Sequence, residues 1–414
     1  MLRMRHARSL GWLVMFVVSV ACGTSPVDPR PGAGGAGGTS GLGGDGPAGT
    51  AGAGGAAATG FAGAGTAGTG GIAATGAAGS GGGTSSCATP PPASALVGWA
   101  AMSGSGVTTT TGGGNATPQT VTTVSALNAA AAGATPAVVY VAGVLPAGKV
   151  TIGSNKTIVG LCGAEIHGHV EITGSSNVIV RNIKIVGYGV GNCALDPDYD
   201  AAVGCSSGND AVTVLGAHHV WFDHDDIADG TDGNLDITLG ADFVTVSWTK
   251  FHYTARTDAT GNDSTGASGH RFSNLVGGDD NSAVDVGKLN VTWHHNWWAD
   301  RVMERQPRIR YGKNHLFNNL WTSSGDNYCV RAGTNAQILL DSNAFVGVKT
   351  PQEFNNTADQ GTANITSRNN VYTSTSGGQA TGGGGTPFTT PSYSYTADAA
   401  ATIQAAVQAG AGPR

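Results

Sequence analysis

Short strand-like apolar runs recur along the chain from about residue 96 onward, and their spacing is the strongest constraint on the fold. Successive runs begin on the order of two dozen residues apart, or near double that where a loop intervenes, which is the period of stacked coils. The runs lie at 156–159, 178–185, 220–222, 243–248, 289–293, 315–321, 336–340 and 363–371. Helical periodicity is almost absent. The sequence therefore predicts an all-β parallel β-helix.

Asparagine recurs at matching places near the ends of these runs. At the turns of a solenoid, stacked asparagine amides can pair with one another and with backbone groups. We therefore predict a structural role for these residues. They are Asn182, Asn296, Asn318, Asn319, Asn343, Asn369 and Asn370.

Residues 1–22 have the form of an export signal. Arg3, Arg5 and Arg8 precede an apolar run at 10–20 that is too short to span a bilayer. Cys22 at the cleavage point indicates a lipoprotein signal, whereas Ser19, where such signals usually carry Leu, leaves plain secretion open. The predicted location is thus either secreted or at the cell surface or outer membrane, with Cys22 as the lipid-bearing residue in the second case.

Residues 23–95 are predicted to be a disordered linker. The segment 32–86 contains 24 glycines and a single charged residue, Asp45, so it cannot bury enough apolar surface to offset its conformational entropy. As a Gly-rich coil it would span roughly 40 Å. Residues 96–414 remain, enough for one large folded domain with a single core.

The six cysteines suit an oxidising compartment. Cys193 and Cys205 flank a short polar loop and are the favoured disulfide pair, with Cys87 and Cys329 as a second candidate pair. Cys162 lies in an apolar run and is expected to be a buried free thiol. Neither CxxC nor His-Cys spacing indicates a zinc site.

Basic residues concentrate between positions 288 and 313. Six of the chain's 21 lysines and arginines lie there although the net charge is −6: Lys288, Arg301, Arg305, Arg308, Arg310 and Lys313. Because side chains alternate along a strand, Arg308 and Arg310 should share one face while Ile309 points into the core. The cluster predicts an anion-binding site, and with an acidic protein no nucleic-acid partner is expected.

Three aspartates precede this cluster along the chain: Asp210, Asp232 and Asp236. Carboxylates beside alternating apolar runs suit a hard, oxygen-seeking cation such as calcium. The calcium-loop pattern of helical hands is absent, so the spacing alone is a weak signal. Together with the basic cluster, the aspartates predict a site that binds an acidic ligand and bridges its carboxylate through a metal ion.

The ordered motifs of the chain resemble the pectate lyases of polysaccharide lyase family 1. The principal matches are WFDH at 221–224, DGNLD at 232–236, VTVSW at 244–248, GKLNVTWHHN at 287–296 and RQPRIRYG at 305–312, with weaker matches at 97–101, 154–160, 176–182 and 314–319. They cover essentially the whole domain in the family's order. The resemblance implies a right-handed parallel β-helix and calcium-dependent β-elimination of α-1,4-linked polygalacturonate to 4,5-unsaturated products.

Carried over residue by residue, the resemblance also implies the roles of a site. Asp210, Asp232 and Asp236 would bind Ca²⁺, Lys288 and Arg310 would bind substrate carboxylates, and Arg305 would be the catalytic base. Arg308 and Arg271 are further expected substrate-binding residues. Arg271 stands where the family has Lys, after an insertion at about 254–268 that departs from the family pattern.

Other interpretations stay open at this point. A pectin lyase would act on methylated pectin without the calcium site, a glycoside hydrolase would use two or three carboxylates, and a β-helix adhesin would only bind. His224, His294 and His295 are expected to be structural, and Trp293, Trp297 and Trp298 could either stack on sugars or pack in the core. The expected partner is anionic pectin or polygalacturonate, bound by a monomer.

Overall fold

The computed structural model of the chain describes residues 89–197, 199, 210–254 and 271–414. The predicted signal sequence, Cys22, Cys205 and nearly all of the predicted linker and insertion lie outside these residues. Within the described part, no helix is long and apolar enough to cross a membrane.

The described residues form 25 short strands and three α-helices. The strands are β1 (Gln119–Val121), β2 (Ala137–Val141), β3 (Val144–Thr151), β4 (Lys156–Gly160), β5 (Glu165–Thr173), β6 (Ser176–Arg181), β7 (Lys184–Val186), β8 (Val212–Leu215), β9 (His218–Asp223), β10 (Asp226–Ala228), β11 (Leu235–Thr238), β12 (Asp242–Ser247), β13 (Lys250–His252), β14 (Asn274–Val276), β15 (Val291–His294), β16 (Trp297–Trp298), β17 (Arg308–Ile309), β18 (Lys313–Phe317), β19 (Leu320–Trp321), β20 (Val330–Ala332), β21 (Gln337–Asp341), β22 (Ala344–Val346), β23 (Gln352–Phe354), β24 (Asn364–Arg368) and β25 (Val371–Thr373). The helices are α1 (Val124–Ala131), α2 (Thr357–Thr362) and α3 (Ala400–Gly410).

One sheet contains the strands that the sequence predicted. Its ten parallel strands follow the order β1-β2-β4-β6-β9-β12-β15-β18-β21-β24, so that consecutive coils stack on one another. Each of the eight apolar runs contains or overlaps a strand of this sheet. The right-handed parallel β-helix predicted above is therefore confirmed.

A second sheet of fifteen strands closes each coil. Its path joins two stacks at β5, because residues 165–167 pair with β7 and residues 170–173 pair with β8. We call β8, β11, β14, β17, β20 and β23 the front strands. The segments that lead into them, including 187–211, 229–234, 253–273 and 299–307, are the front turns.

The turn from the ten-stranded sheet into β7, β10 and their successors is short and repeats in every coil. Its first residue has a positive φ of 51° to 58°, a region that Asn tolerates better than most residues. These residues are Asn182, His224, Trp248, His295, Asn318, Ser342 and Asn369. The recurrence fixes where each coil bends, and we call this position the ladder turn.

From His295 onward, the residue that follows each positive-φ position is an asparagine, and these asparagines form a hydrogen-bonded ladder. The side-chain oxygen of Asn319 accepts the backbone N–H of Asn296 at 2.9 Å and its side-chain amide at 3.1 Å. Asn343 receives the same two bonds from Asn319, and Asn370 receives them from Asn343. The structural role predicted for these asparagines is confirmed.

The interior of the coils is a continuous apolar core. Trp298, Trp321, Phe345 and Tyr372 stack ring on ring in successive coils, with centroids 4.7, 4.2 and 5.2 Å apart. Such like-on-like stacking lets each coil bury its apolar face against its neighbours, which an isolated coil could not do.

Helices cover two places on this coil stack. Helix α1 starts at the N-cap Thr123, whose side chain accepts the N–H of Ala126, and it buries Leu127 at the N-terminal end of the described coils. Helix α3 packs Ile403 and Val407 against Leu320 and Ala344.

Residues at the end of the predicted linker already contact the coils. The carbonyl of Pro91 accepts a hydrogen bond from Arg181 at 2.7 Å, and the N–H of Ser94 donates to Asp223 at 3.3 Å. The folded domain therefore begins a few residues before position 96.

The cysteine predictions need correction. Cys329 is a buried free thiol, so the pairing of Cys87 with Cys329 is wrong. Cys162 is disulfide-bonded and exposed rather than a buried thiol, and Cys193 is disulfide-bonded as well. The apolar run before Cys162 ends inside strand β4, which leaves the cysteine in the turn that follows.

Candidate active site

Most of the predicted site residues lie where the chain enters or leaves the front strands. Asp210 precedes β8, Asp232 precedes β11 and Asp236 lies within it. Arg271 precedes β14 and Arg305 precedes β17. Because these strands are parallel neighbours in one sheet, residues far apart in sequence are brought to the same edge.

Strand register sets the order of charges along the front strands. Asp236 is opposite Leu275, which is opposite Arg308. Adjacent strands lie about 4.8 Å apart, so Asp236 and Arg308 share one face of the sheet at roughly 10 Å. Ile309, between Arg308 and Arg310, is fully buried in the core, which confirms the predicted alternation.

Asp210 and Asp236 form a buried pair of carboxylates around Gly233. A Cβ atom at Gly233 would lie 2.7 Å from Oδ1 of Asp210 and 3.2 Å from Oδ1 of Asp236, so a side chain there would displace one of them. Both aspartates are buried, and Oδ1 of Asp210 has no hydrogen-bond partner. Because Gly233 has no side chain, the two carboxylates can approach each other.

Burial raises the pKa of both carboxyl groups. The pKa of Asp236 is raised to about 7, chiefly by burial and also by the charge of Asp232, against the opposing effects of Arg305 and Arg310. The pKa of Asp210 is raised well above its ordinary value by burial and by the charges of Asp236 and Asp232. The charged forms of these two carboxyl groups, and with them the negative charge of the site, are thus not fully compensated by the protein alone.

Arg305 faces this negative charge. Its backbone has a φ of 56°, and its guanidinium lies over the ring of Phe272 at 4.3 Å. Burial acts to lower the pKa of Arg305, but Asp232, Asp236 and other neighbouring groups outweigh it and raise that pKa. The charged form of the guanidinium is therefore favoured while the carboxylates are uncompensated.

Arg308 and Arg310 continue the basic side of the site. Arg310 is buried, pairs with Asp280, and donates to the carbonyl of Gly277 at 2.9 Å. Arg308 donates to Asn355 at 3.2 Å. Burial, followed by the charge of Arg310, lowers the pKa of Arg308 to about 10.

Arg271 lies beside a cavity of about 630 Å³ that also borders His252, Tyr253 and Met303. Its guanidinium contacts the sulfur of Met303 at 3.2 Å. The hydroxyl of Tyr253 donates to the backbone carbonyl of Phe272, and the ring of Phe272 lies under the guanidinium of Arg305. Arg271 is therefore on the same side of the coil as the carboxylates.

Lys288 lies where the chain enters the ten-stranded sheet before β15, and its ammonium faces the carboxylate of Asp242 at 3.8 Å. Its backbone lies against Gly312, two residues after Arg310. The substrate-binding role that the resemblance implies for Lys288 stays a prediction.

The aspartates do not form a closed metal cage. Within the described ranges, no three His, Cys, Asp or Glu side chains are close enough together to hold a metal ion. Asp210 and Asp236 share the space at Gly233, whereas Asp232 is half-buried and acts on them through its charge. An all-oxygen pair with an unpartnered buried oxygen does suit a hard cation completed by other oxygen ligands.

The histidines and tryptophans of the motifs serve the coil stack. His224 and His295 sandwich Trp248, with centroids 5.6 and 4.3 Å from it, at the ladder turn. Burial lowers the pKa of His294 well below its ordinary value, and its ring stacks on Phe317. The structural reading of these histidines is confirmed.

Two of the three motif tryptophans belong to the core. Trp293 and Trp298 are fully buried. Trp297 is half-buried, with the ammonium of Lys250 5.0 Å from its ring centroid.

These features define a parallel β-helix protein with buried carboxylates and arginines converging at one sheet edge. A sequence model of the pectate lyase family matches residues 50–414. The chain therefore belongs to the pectate lyase family.

Individual relatives agree. The chain is 34% identical over 295 residues to pectate lyase B of Colletotrichum gloeosporioides, covering 69% of this chain and 77% of that protein. It is also 34% identical over 224 residues to pectate lyase E of Dickeya chrysanthemi. That match covers 48% of this chain and 50% of the relative, so the chain spans about half the length of that relative.

The fold is likewise that of known structures. A polygalacturonate lyase fused with a self-assembling amphipathic peptide superposes with a TM-score of 0.55 at 25% identity, covering 76% of this chain and 96% of that one. A pectate lyase from Bacillus sp. N165 superposes with a TM-score of 0.58 at 22% identity, covering 77% and 98%.

Proposed function

We propose that the protein is a calcium-dependent pectate lyase that cleaves α-1,4-linked polygalacturonate by β-elimination and releases 4,5-unsaturated oligogalacturonides. The observation that carries the proposal is the buried pair Asp210 and Asp236 facing Arg305 at one sheet edge, in a chain of the pectate lyase family. The relatives named above are pectate or polygalacturonate lyases.

Asp210 and Asp236 would hold the calcium ion, and Asp232 would add its charge. The unpartnered Oδ1 of Asp210 supports this assignment, since a buried carboxylate oxygen without a hydrogen bond is costly unless a cation satisfies it. When bound, calcium would supply positive charge next to the substrate carboxylate and so favour loss of the neighbouring proton.

The arginines of the site would bind and orient the uronate. Arg310 and Arg308 present guanidinium groups, which match a carboxylate in shape and charge. Arg271, beside the adjacent cavity, would contact a further part of the polygalacturonate substrate. The role of Lys288 as a further binder of the substrate carboxylate stays a prediction, since its ammonium faces the carboxylate of Asp242 at 3.8 Å.

The reaction removes the proton at C5, which lies next to the carboxylate. The electron pair of the C5–H bond forms the C4–C5 double bond, and the C4–O bond breaks with its electrons going to the departing sugar oxygen. Arg305 is the proposed acceptor of the proton. Positive groups around the carboxylate stabilise the enolate-like charge that develops in the transition state.

Arg305 must lose a proton before it can act as a base. Because the ordinary pKa of a guanidinium lies far above pH 8.5, this costs on the order of 5 kcal/mol at about that pH. Asp232 and Asp236 raise the pKa of Arg305 in the metal-free protein, so a cation that neutralises them lowers the cost. An alkaline optimum and a calcium requirement therefore have the same electrostatic origin.

The product decides the proposal. Polygalacturonate is incubated with the purified full-length chain, and absorbance of the new C4–C5 double bond is followed with calcium and with excess chelator. We expect absorbance with calcium and none with chelator. Reducing ends without that absorbance would indicate a hydrolase, full activity in chelator or a preference for methylated pectin would indicate a pectin lyase, and binding without products would indicate an adhesin.

We further propose that Cys22 anchors the enzyme at the cell surface or outer membrane, with the Gly-rich segment as a passive tether. The export-signal pattern of residues 1–22 supports this. Residues 32–86, with 24 glycines and one charged residue, precede the hydrogen bonds of Pro91 and Ser94 to the coils and have the composition of a flexible tether.

A further inference from the structure

Arg310 is held by a segment of the preceding coil, residues 277–290, between β14 and β15. Its Nε donates to the carboxylate of Asp280, and its Nη1 donates to the carbonyl of Gly277 at 2.9 Å. The next residue, Tyr311, donates its hydroxyl to the backbone carbonyl of Asp280 at 2.6 Å. Arg310 and Tyr311, which are neighbours in sequence, thus both donate hydrogen bonds to Asp280.

The stem of Arg310 is confined as closely as its head. A Cβ atom at Gly277, where φ is 84°, would lie 2.9 Å from Cβ of Arg310. A Cβ atom at Gly333, on the following coil, would lie 3.1 Å from Cγ of Arg310. Both distances are shorter than ordinary packing allows, so a larger residue at either position would collide with the side chain of Arg310.

We propose that Asp280 is a positioning residue, which fixes the guanidinium of Arg310 in the orientation that receives the uronate carboxylate. This inference rests on the proposed function. Asp280 contacts Arg310 and not the reacting atoms, so it acts through the arginine. The sequence motifs did not indicate Asp280, because it lies in a turn outside them and thirty positions before its partner.

The arrangement leaves part of the guanidinium for a ligand. Nε and Nη1 are engaged by the 277–290 segment, whereas no residue in the described part of the chain accepts a hydrogen bond from Nη2. A long arginine side chain loses rotamer freedom when it binds. Because Asp280 and the two glycines remove that freedom beforehand, the substrate carboxylate meets an arginine that is already ordered.

Three variants of the full-length chain separate this role from a general effect of charge. Asp280→Ala removes both the acceptor and the charge, whereas Asp280→Asn keeps an oxygen acceptor. Asp279→Ala is the matched control, since Asp279 is the exposed neighbour whose carboxylate accepts the N–H of Asn281. KM and kcat on polygalacturonate, equilibrium binding of trigalacturonate, and Tm are measured for each.

We expect Asp280→Ala to raise KM five- to tenfold with kcat changed less than twofold. Asp280→Asn should stay within about threefold of the wild-type KM, and Asp279→Ala should match the wild type. A wild-type KM in Asp280→Ala, an equal rise in Asp279→Ala, or a lower KM in Asp280→Ala, which would make Asp280 a competitor of the substrate, would each overturn the proposal.

Failure of the proposed function gives a different pattern. If the wild type releases no unsaturated product, the lyase proposal fails, and trigalacturonate affinity still tests Asp280 through the same five- to tenfold loss in Asp280→Ala. If the wild type neither cleaves polygalacturonate nor binds trigalacturonate, both proposals fail.

Discussion

The ladder turn and the front-strand site are both polar and buried, yet they are built on opposite principles. In the ladder, the side-chain oxygen of Asn319 accepts two hydrogen bonds from Asn296, and its side-chain amide donates two, to Trp293 and Asn343. In the site, Asp210 and Asp236 are charged groups whose pKa values burial raises, and one oxygen has no partner.

The difference assigns stability and function to separate corners of one coil. A neutral network stabilises the fold because every buried polar group in it has a hydrogen-bond partner, and no donor or acceptor is left for a ligand. A group of buried charges is costly by itself and becomes favourable when a cation and an anionic substrate complete it. Substitutions at the two places should therefore have opposite consequences.

The largest effect is expected at Arg305. If it is the base, Arg305→Ala should lower kcat by several orders of magnitude while calcium binding and substrate affinity change little, because the grip comes from other groups. Arg305→Lys keeps a positive charge but has a single-point head and a lower intrinsic pKa, so a purely electrostatic role would survive this exchange better than proton abstraction. Turnover of more than roughly a tenth of wild type in Arg305→Ala would rule out the base assignment, since general-base catalysis contributes at least about a hundredfold.

The ladder should show the reverse pattern. Asn319→Ala leaves the buried amides of Asn296 and Asn343 short of partners, and we expect a loss of about 2 to 4 kcal/mol in the free energy of unfolding. The kcat of the fraction that remains folded should be unchanged. Denaturant unfolding measures the loss, and Asn281→Ala, at an exposed asparagine, is the control that should stay within about 0.5 kcal/mol. An equal loss in both variants would show that the ladder has no special weight.

A smaller effect of opposite sign is expected at Asp236. Its pKa is about 7 in the folded protein against an ordinary value of 3.8. A raised carboxyl pKa means stability that is complete below about pH 4 and is lost as the pH rises toward 7. In metal-free protein at about pH 8, Asp236→Asn should therefore raise the free energy of unfolding by on the order of 1 to 4 kcal/mol, although it should abolish activity.

Thermal unfolding from pH 4 to 8 tests this prediction. The slope of stability against pH should flatten in Asp236→Asn and persist in Asp279→Asn, a matched change at an exposed aspartate. Added calcium should stabilise the wild type and have little effect on Asp236→Asn. Lower stability of Asp236→Asn at pH 8 without metal would contradict the view that this carboxylate is an uncompensated charge.

The tether should show no effect on catalysis. Cys22→Ala should release or mislocalise the enzyme, as fractionation of cells and medium would reveal, while specific activity on soluble polygalacturonate stays at the wild-type level. A wild-type protein found entirely in the medium with an unmodified N-terminus would refute the anchor.

The fold was predictable because its signals are local. One coil occupies a short stretch of sequence, so the recurrence of strands at 156–159 or 243–248 and of asparagines at the ladder turn is visible without tertiary information. The strands of the fifteen-stranded sheet were harder to find, since β16, β17 and β19 have two residues each, too few to show alternation. The sequence located their residues through motifs and not through periodicity.

The site was predictable only as far as its motifs reach. The order of aspartates and arginines in the motifs singled out Asp210, Asp236, Arg305 and Arg310, which the structure brings to the front strands, and their roles stay a prediction. The position of Lys288 depends on the path of the long 277–290 segment. The disulfide state of Cys162 likewise depends on which cysteine the fold brings near it, and local sequence does not encode this.

The ladder turn also determines how proteins of this architecture can diversify. Two residues connect strands there, as Asn318 and Asn319 join β18 to β19, and an insertion would break the register of every coil above it. The front turns carry no such restriction, since they range from residues 347–351 to residues 187–211 in this one chain. Loop exchange among related sequences, in nature or in a directed-evolution library, should therefore succeed at the front turns, where new substrate preferences can arise without a new scaffold.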